Sequence, residues 1–271
     1  MPDHGDVLAS YERLGADARQ VILETLPADW TPQDKRVLDF GVGSGKVLRH
    51  LIDDWSGAEL EGCDIDRASV EWLEANMSPP VHAFVNGEKP PLDAPDGRFD
   101  LVLAMSVFTH LTDYSLAWLA ELHRVLAEDG LLIASFLGRE AYGVYADGSW
   151  DDADIGMNIV HYGQSWDLGG PTVFHSEWWL REHWGRVFEV VSLRDGRASG
   201  DHGIVLLRRR AGPATAEELE KPSDDPRELS ALRFQVCQLL DETRELRRHA
   251  AGRGGEGLRA RLGGLRRRVT G

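Results

Sequence analysis

Cysteine, basic charge and long apolar runs are all scarce in this 271-residue chain. Its two cysteines, Cys63 and Cys237, lie far apart, which excludes a disulfide framework or a cysteine-based metal site as the organising feature. Both are expected to be buried free thiols. Lysine and arginine number 30 against 45 acids, for a net charge of −15. Such a balance excludes general nucleic-acid binding, because phosphate affinity is built from basic surface. No run of about 18 apolar residues occurs, and no basic segment leads into an apolar one at the start. Neither a membrane span nor a secretory signal is expected, and a soluble, cytoplasmic protein is. Basic charge gathers only late. From Ala251 onward there are six arginines against one glutamate, the pattern of a solvated, flexible tail over 251–271.

What is present is apolar material, 42% of residues, enough for one sizeable core plus an appendage. The chain is organised around Val37 to Lys46, VLDFGVGSGK. Val37, Leu38 and Phe40 favour a strand, and Gly41, Gly43 and Gly45 allow a tight turn and close approach of a ligand. Val47, Leu48 and Leu51 then recur at helical spacing, which predicts a helix opening from the loop. A phosphate-cradling loop would need glycine at position 40 and Ser or Thr at 47, where Phe40 and Val47 stand, so the Gly45-Lys46 pair reads as coincidental. A dinucleotide fingerprint would need glycine at position 46, which is Lys46, so a nicotinamide oxidoreductase is a disfavoured alternative. The remaining pattern, Asp-x-Gly-x-Gly-x-Gly from Asp39, resembles the first motif of the class I S-adenosylmethionine (SAM)-dependent methyltransferases. That resemblance spans about Arg36 to Arg210. It implies SAM as cofactor, with Asp39, Gly41, Gly43 and Gly45 in its site.

Ahead of the motif, Leu8, Tyr11, Leu14, Ala18, Ile22 and Leu26 predict one or two helices within residues 1–35, which in the family close over the cofactor and make Tyr11 a candidate lid residue. After it, ELEGCDID at Glu59 to Asp66 reads as a second strand. Asp64 stands near the interval at which an open α/β sheet presents an acid to a ribose, with Ile65 beside it, while Asp66 suits the cap of a helix from Arg67 to Met77. Val81 to Asn86 is a third strand, and Asn86 and Gly87 fall where the resemblance places the adenine reader. FDLVLAMSV at Phe99 to Val107 is an apolar run suited to a central strand, and its continuation SVFTHL puts Ser106 and His110 at the carboxyl end of the sheet. A helix capped by Thr112 or Asp113 leads to a fifth strand at Leu131 to Leu137. Further strands are expected at Phe188 to Leu193 and Gly203 to Arg210. Such alternation specifies a parallel sheet, and the resemblance adds an antiparallel last strand. The expected fold is therefore α/β, a Rossmann-like seven-stranded mixed sheet flanked by helices, with a C-terminal helical appendage.

Residues 138–174 break the alternation. This stretch is rich in glycine, aspartate and aromatics, and a long aromatic loop suits acceptor binding, with stacking from Trp150, Tyr162 and Trp166 on a sugar or other polyol. A local aromatic mini-core is the competing reading. Beyond the domain at 36–210, residues 211–228 read as a linker. Leu229, Leu232, Val236, Leu239, Thr243 and Leu246 then alternate spacings of three and four, a coiled-coil seam over 229–250 that suggests a homodimer or a helix docked on its own domain.

For the chemistry the resemblance implies, methyl transfer to an oxygen or nitrogen needs a base. His110, His161 and His175 are the candidates. The acceptor is expected to be a small molecule, a glycan or natural-product hydroxyl in first place and an amino group in second. No metal is expected. A metal-assisted route through Asp151, Asp152, Asp154 and His161 is the alternative, and a non-catalytic SAM-binding scaffold is a reading from another class.

Overall fold

A computed structural model describes residues 4–146, 148–165, 168–198 and 201–269, with side chains assigned from 8 to 248. A central sheet is built from β1 (Arg36–Phe40), β2 (Glu59–Asp64), β3 (Val81–Val85), β4 (Phe99–Ala104) and β5 (Leu126–Leu137), all parallel in the order β3-β2-β1-β4-β5. The last two strands, β8 (Phe188–Ala198) and β9 (His202–Arg209), complete it. β9 runs antiparallel between β5 and β8. These are the seven strands expected from the sequence. Two more, β6 (Met157–Val160) and β7 (Thr172–His175), form a hairpin attached to the end of β5 through Leu137 and Phe174.

The sheet exists because its strands are apolar on both sides. Leu101, Val102, Leu103 and Ala104 of β4 are all fully buried, half in each of two cores. One face is covered by α1 (His4–Thr25) through Val21 and Ile22, and by α2 (Arg67–Met77), whose cap Asp66 accepts the Ala68 amide as expected. The other is covered by α3 (Ser115–Val125) and α5 (Glu177–His183), which bring Trp118, Leu122 and Trp178 onto it, with Trp184 from the turn after α5. Between β5 and β6 lies the short α4 (Arg139–Tyr145).

Several expectations are corrected. After the glycine loop the chain forms turns and one 3-10 turn, Leu48–His50, in place of a regular helix. Val47, Leu48 and Leu51 are nevertheless buried, so their spacing reported packing without helical hydrogen bonding. Helix α3 starts after Tyr114 with no side-chain cap, and the Asp113 carboxylate instead accepts the Tyr162 hydroxyl at 2.8 Å. The insert is no open loop. The β6–β7 hairpin and a mini-core of Tyr142, Trp150 and Phe174 occupy it, with ring centroids 4.8 to 5.5 Å apart. Trp166 lies outside the described residues.

The linker is also structured. Thr215 caps α6 (Ala216–Glu220) and Leu219 is fully buried, while Arg186 donates to the carbonyls of Glu218, Leu219 and Lys221. Helix α7 (Glu228–Val269) then runs unbroken through the stretch expected to be a flexible tail. It lies along β6, the edge strand, and Gln235 both accepts from the Ile159 amide and donates to its carbonyl. The edge of the sheet is thereby covered. Cys63 is buried but Cys237, on α7, is exposed.

Candidate functional site

The glycine loop hangs from the carboxyl end of β1. Gly41 sits at φ +84° with Val107 packed over it, so close that an added Cβ would lie 2.4 Å from the Val107 Cγ2. Gly43, at φ +52°, has nothing within 4 Å of its missing Cβ and is the point where a ligand can approach the backbone. Gly45 serves the turn itself and packs on Leu73 and Met77. Helix α1 closes the other side, where the Tyr11 hydroxyl and the Ser44 Oγ share a hydrogen bond of 2.7 Å.

Between loop and helix is a cavity of about 380 Å³, bounded by Tyr11, Asp39, Gly43, Lys46, Ser106 and His202. Asp39 is 2% exposed, and no hydrogen bond from the described residues reaches its carboxyl. Burial, reinforced by the nearby Asp64 charge and opposed by Lys46, pushes it up to about 7. Asp39 is thus a buried acid with no donor among the described residues, at the border of the cavity. Ser106 lies at φ +59°, a strained conformation held by the Ser135 hydroxyl, which accepts the Ser106 amide at 2.7 Å.

The carboxyl ends of β1, β2 and β3 lie side by side, with Phe40 opposite Cys63 and Asp64 opposite Val85. Asp64 and Asn86 thus extend outward from the loop in a line. Asp64 accepts the Gly43 amide at 2.7 Å and the Asp66 amide at 2.9 Å, which ties the loop to β2. Neither it nor Ile65, which is 52% exposed, bounds the cavity. Asn86 keeps one buried side-chain oxygen without a partner, and the neighbouring Gly87 is exposed.

The three candidate bases separate. His110 lies on the turn after β4, its Nδ1 2.7 Å from the Pro171 carbonyl. A carbonyl only accepts, so Nδ1 is the donor in this bond. His161 is exposed at the β6–β7 turn, where its amide donates to Glu242 of α7, away from the cavity. His175 is fully buried at the end of β7 beside Trp179 and Trp184, with neither ring nitrogen paired, and burial pushes it down to about 3. It borders a separate depression of about 480 Å³ with Trp150 and Asp152. The acids of the insert each have a protein partner: Asp151 accepts the Ala153 amide, Asp152 pairs with Arg139, and Asp154 accepts the Ser230 hydroxyl.

Sequence reasoning missed His202 and dismissed Lys46. His202 opens β9, opposite Leu137, and is close enough to His110 and Lys46 for their charges to act on it. Burial holds it down to about 4, hence neutral near pH 7. One signal was available. The start of an antiparallel final strand lies at the carboxyl end of its parallel neighbours, where ligands bind.

A glycine loop after the first strand, an acid beneath it and a final antiparallel strand define the class: the fold is that of the SAM-dependent methyltransferases, shared with such an enzyme from Methanosarcina mazei at a TM-score of 0.52 and 17% identity, over 71% of this chain and 98% of that one. Residues 37–130 match the model of a methyltransferase domain family. Curated relatives include a malonyl-[acyl-carrier protein] O-methyltransferase of Geobacter sulfurreducens, 31% identical over 53% of this chain and 52% of that protein. A demethylmenaquinone methyltransferase of Thermus thermophilus is 32% identical over 47% and 58%. The chain thus spans a little over half the length of the curated relatives it matches.

Proposed function

We propose that this chain is a SAM-dependent methyltransferase that methylates a small-molecule acceptor, a hydroxyl of a sugar or natural product, with His110 as base. The observation that carries this reading is the buried, unpartnered Asp39 carboxyl facing the glycine-loop cavity inside a methyltransferase domain. SAM suits that site, because it brings an ammonium and a sulfonium and no phosphate. When bound it supplies an electrophilic methyl group. The chain's own task is positioning and proton removal. Asp64 retains lone pairs for ribose hydroxyls beyond those taken by Gly43 and Asp66, and the unpaired oxygen of Asn86 suits an adenine amino group. Ser106 and His110, on the turn after β4, serve the reacting end. The curated relatives' names give different acceptors, so the hydroxyl assignment rests on His202, which borders the cavity, and on His110 near it.

Conversion of SAM to S-adenosylhomocysteine in the presence of sugar, phenol or amine acceptors tests the reading. Turnover on hydroxyl acceptors supports it. Turnover on amines alone would make this an N-methyltransferase, and tight binding without turnover on any acceptor would favour the scaffold reading.

We further infer that the chain self-associates through α7. One face of the helix is docked on β6, yet Leu229, Leu232, Val236, Leu240 and Leu246 remain 47 to 61% exposed. Leu229, Leu232, Val236 and Leu246 belong to the seam of alternating three- and four-residue spacings, and Leu240 neighbours its Leu239; such a seam packs best against its own copy.

A further inference from the structure

Lys46 is the cationic side chain bordering the cavity, in a Gly-Lys pair whose phosphate-loop meaning Phe40 and Val47 exclude. It lies near enough to Asp39 for its charge to act on that carboxyl, yet among the described residues no ion pair within 4.0 Å joins them. No hydrogen bond from the described residues reaches the Lys46 ammonium or the Asp39 carboxyl. The cavity therefore holds one group of each sign, neighbouring but unpaired. His202 beside Lys46 is neutral and adds no second cation. Tyr11 and Ser44 are bonded to each other.

A pocket with this pattern is complementary to a small group carrying both charges on one carbon, an α-amino acid zwitterion. Open space over Gly43 lets such a group come close to the backbone. Resting on the methyl-transfer reading above, which makes SAM the ligand, we propose that Lys46 binds the carboxylate of the cofactor's amino-acid end while Asp39 takes its ammonium. The Gly-Lys pair is then a zwitterion-recognition element, and the length of Lys46 sets how deeply the methionine part is seated.

Calorimetry on the full chain separates this role from a structural one. S-adenosylhomocysteine carries the zwitterion, whereas 5′-methylthioadenosine keeps the adenosine and sulfur and lacks it. Lys46→Met is expected to weaken S-adenosylhomocysteine roughly 10- to 100-fold, as loss of a charge-assisted bond does, and to leave 5′-methylthioadenosine unchanged. Lys46→Arg should restore part of the loss. Equal weakening of both ligands, unchanged S-adenosylhomocysteine affinity, or a wild-type protein that binds both ligands equally well would each overturn the assignment. If the wild-type protein binds 5′-methylthioadenosine and prefers S-adenosylhomocysteine, the cofactor reading stands whatever Lys46 does. If it binds neither, that reading falls and the role of Lys46 with it.

Discussion

Asp39 shows how one residue can serve a site at the expense of the fold. Its folded-state pKa of about 7 lies above the ordinary 3.8, chiefly through burial and then through Asp64. A raised folded value means that the folded state prefers the protonated form. The stability this group allows is therefore fully present below about pH 4 and is lost as pH rises through 7. Asp39→Asn should raise stability at pH 8 by about 2–4 kcal/mol and make little difference near pH 4. Denaturant midpoints at the two pH values check this. The same variant should bind S-adenosylhomocysteine poorly, since the carboxylate for its ammonium is gone. A variant that was less stable at pH 8, or that bound normally, would show that Asp39 is not an unpaired acid reserved for a ligand.

At the scale of elements, α7 is held by a buried cluster at its first turn. The Glu228 carboxyl lies 3.0 Å from His183 Nε2 and accepts the Ser223 hydroxyl at 2.9 Å, and His183 Nδ1 lies 2.8 Å from the Leu219 carbonyl. His183 is itself stacked on Trp179, with ring centroids 4.3 Å apart. This cluster ties α5, α6 and α7 together, which explains why the stretch expected to be a linker is packed. Glu228→Ala removes the buried partner of both His183 and Ser223 and should cost about 3 kcal/mol. Equilibrium urea unfolding would show it as a lower midpoint at similar slope, whereas an unchanged midpoint would mean that α7 contributes nothing to the domain's stability. The strands were legible from apolar runs. The lack of a regular helix after the glycine loop was not, because Val47, Leu48 and Leu51 report only which side is buried.

For the whole molecule, an acidic domain carries a helix whose inner face covers a sheet edge and whose outer face is apolar. Among the described residues no helix is long and apolar enough to cross a membrane. Self-association through the outer face predicts that Val236→Glu with Leu240→Glu lowers the mass in sedimentation equilibrium from dimer to monomer. The docked face, with Gln235, Gln238 and Glu242, is untouched by these changes. An unchanged mass would assign the seam another role.

The sequence alone determined seven of the sheet's strands, the glycine loop with Asp39, and the alignment of Asp64 and Asn86, because these depend on local propensity and on spacing along one chain. Only the tertiary structure decided which histidine and which cation share the cavity. Lys46 and His202, which border the cavity, come from distant segments, and it is the antiparallel insertion of β9 beside β5 that carries His202 to the carboxyl end of the sheet, near enough to His110 for its charge to act on it. Likewise, whether the insert's aromatics stack on a ligand or on each other is a matter of long-range packing. Tyr142, Trp150 and Phe174 pack on each other.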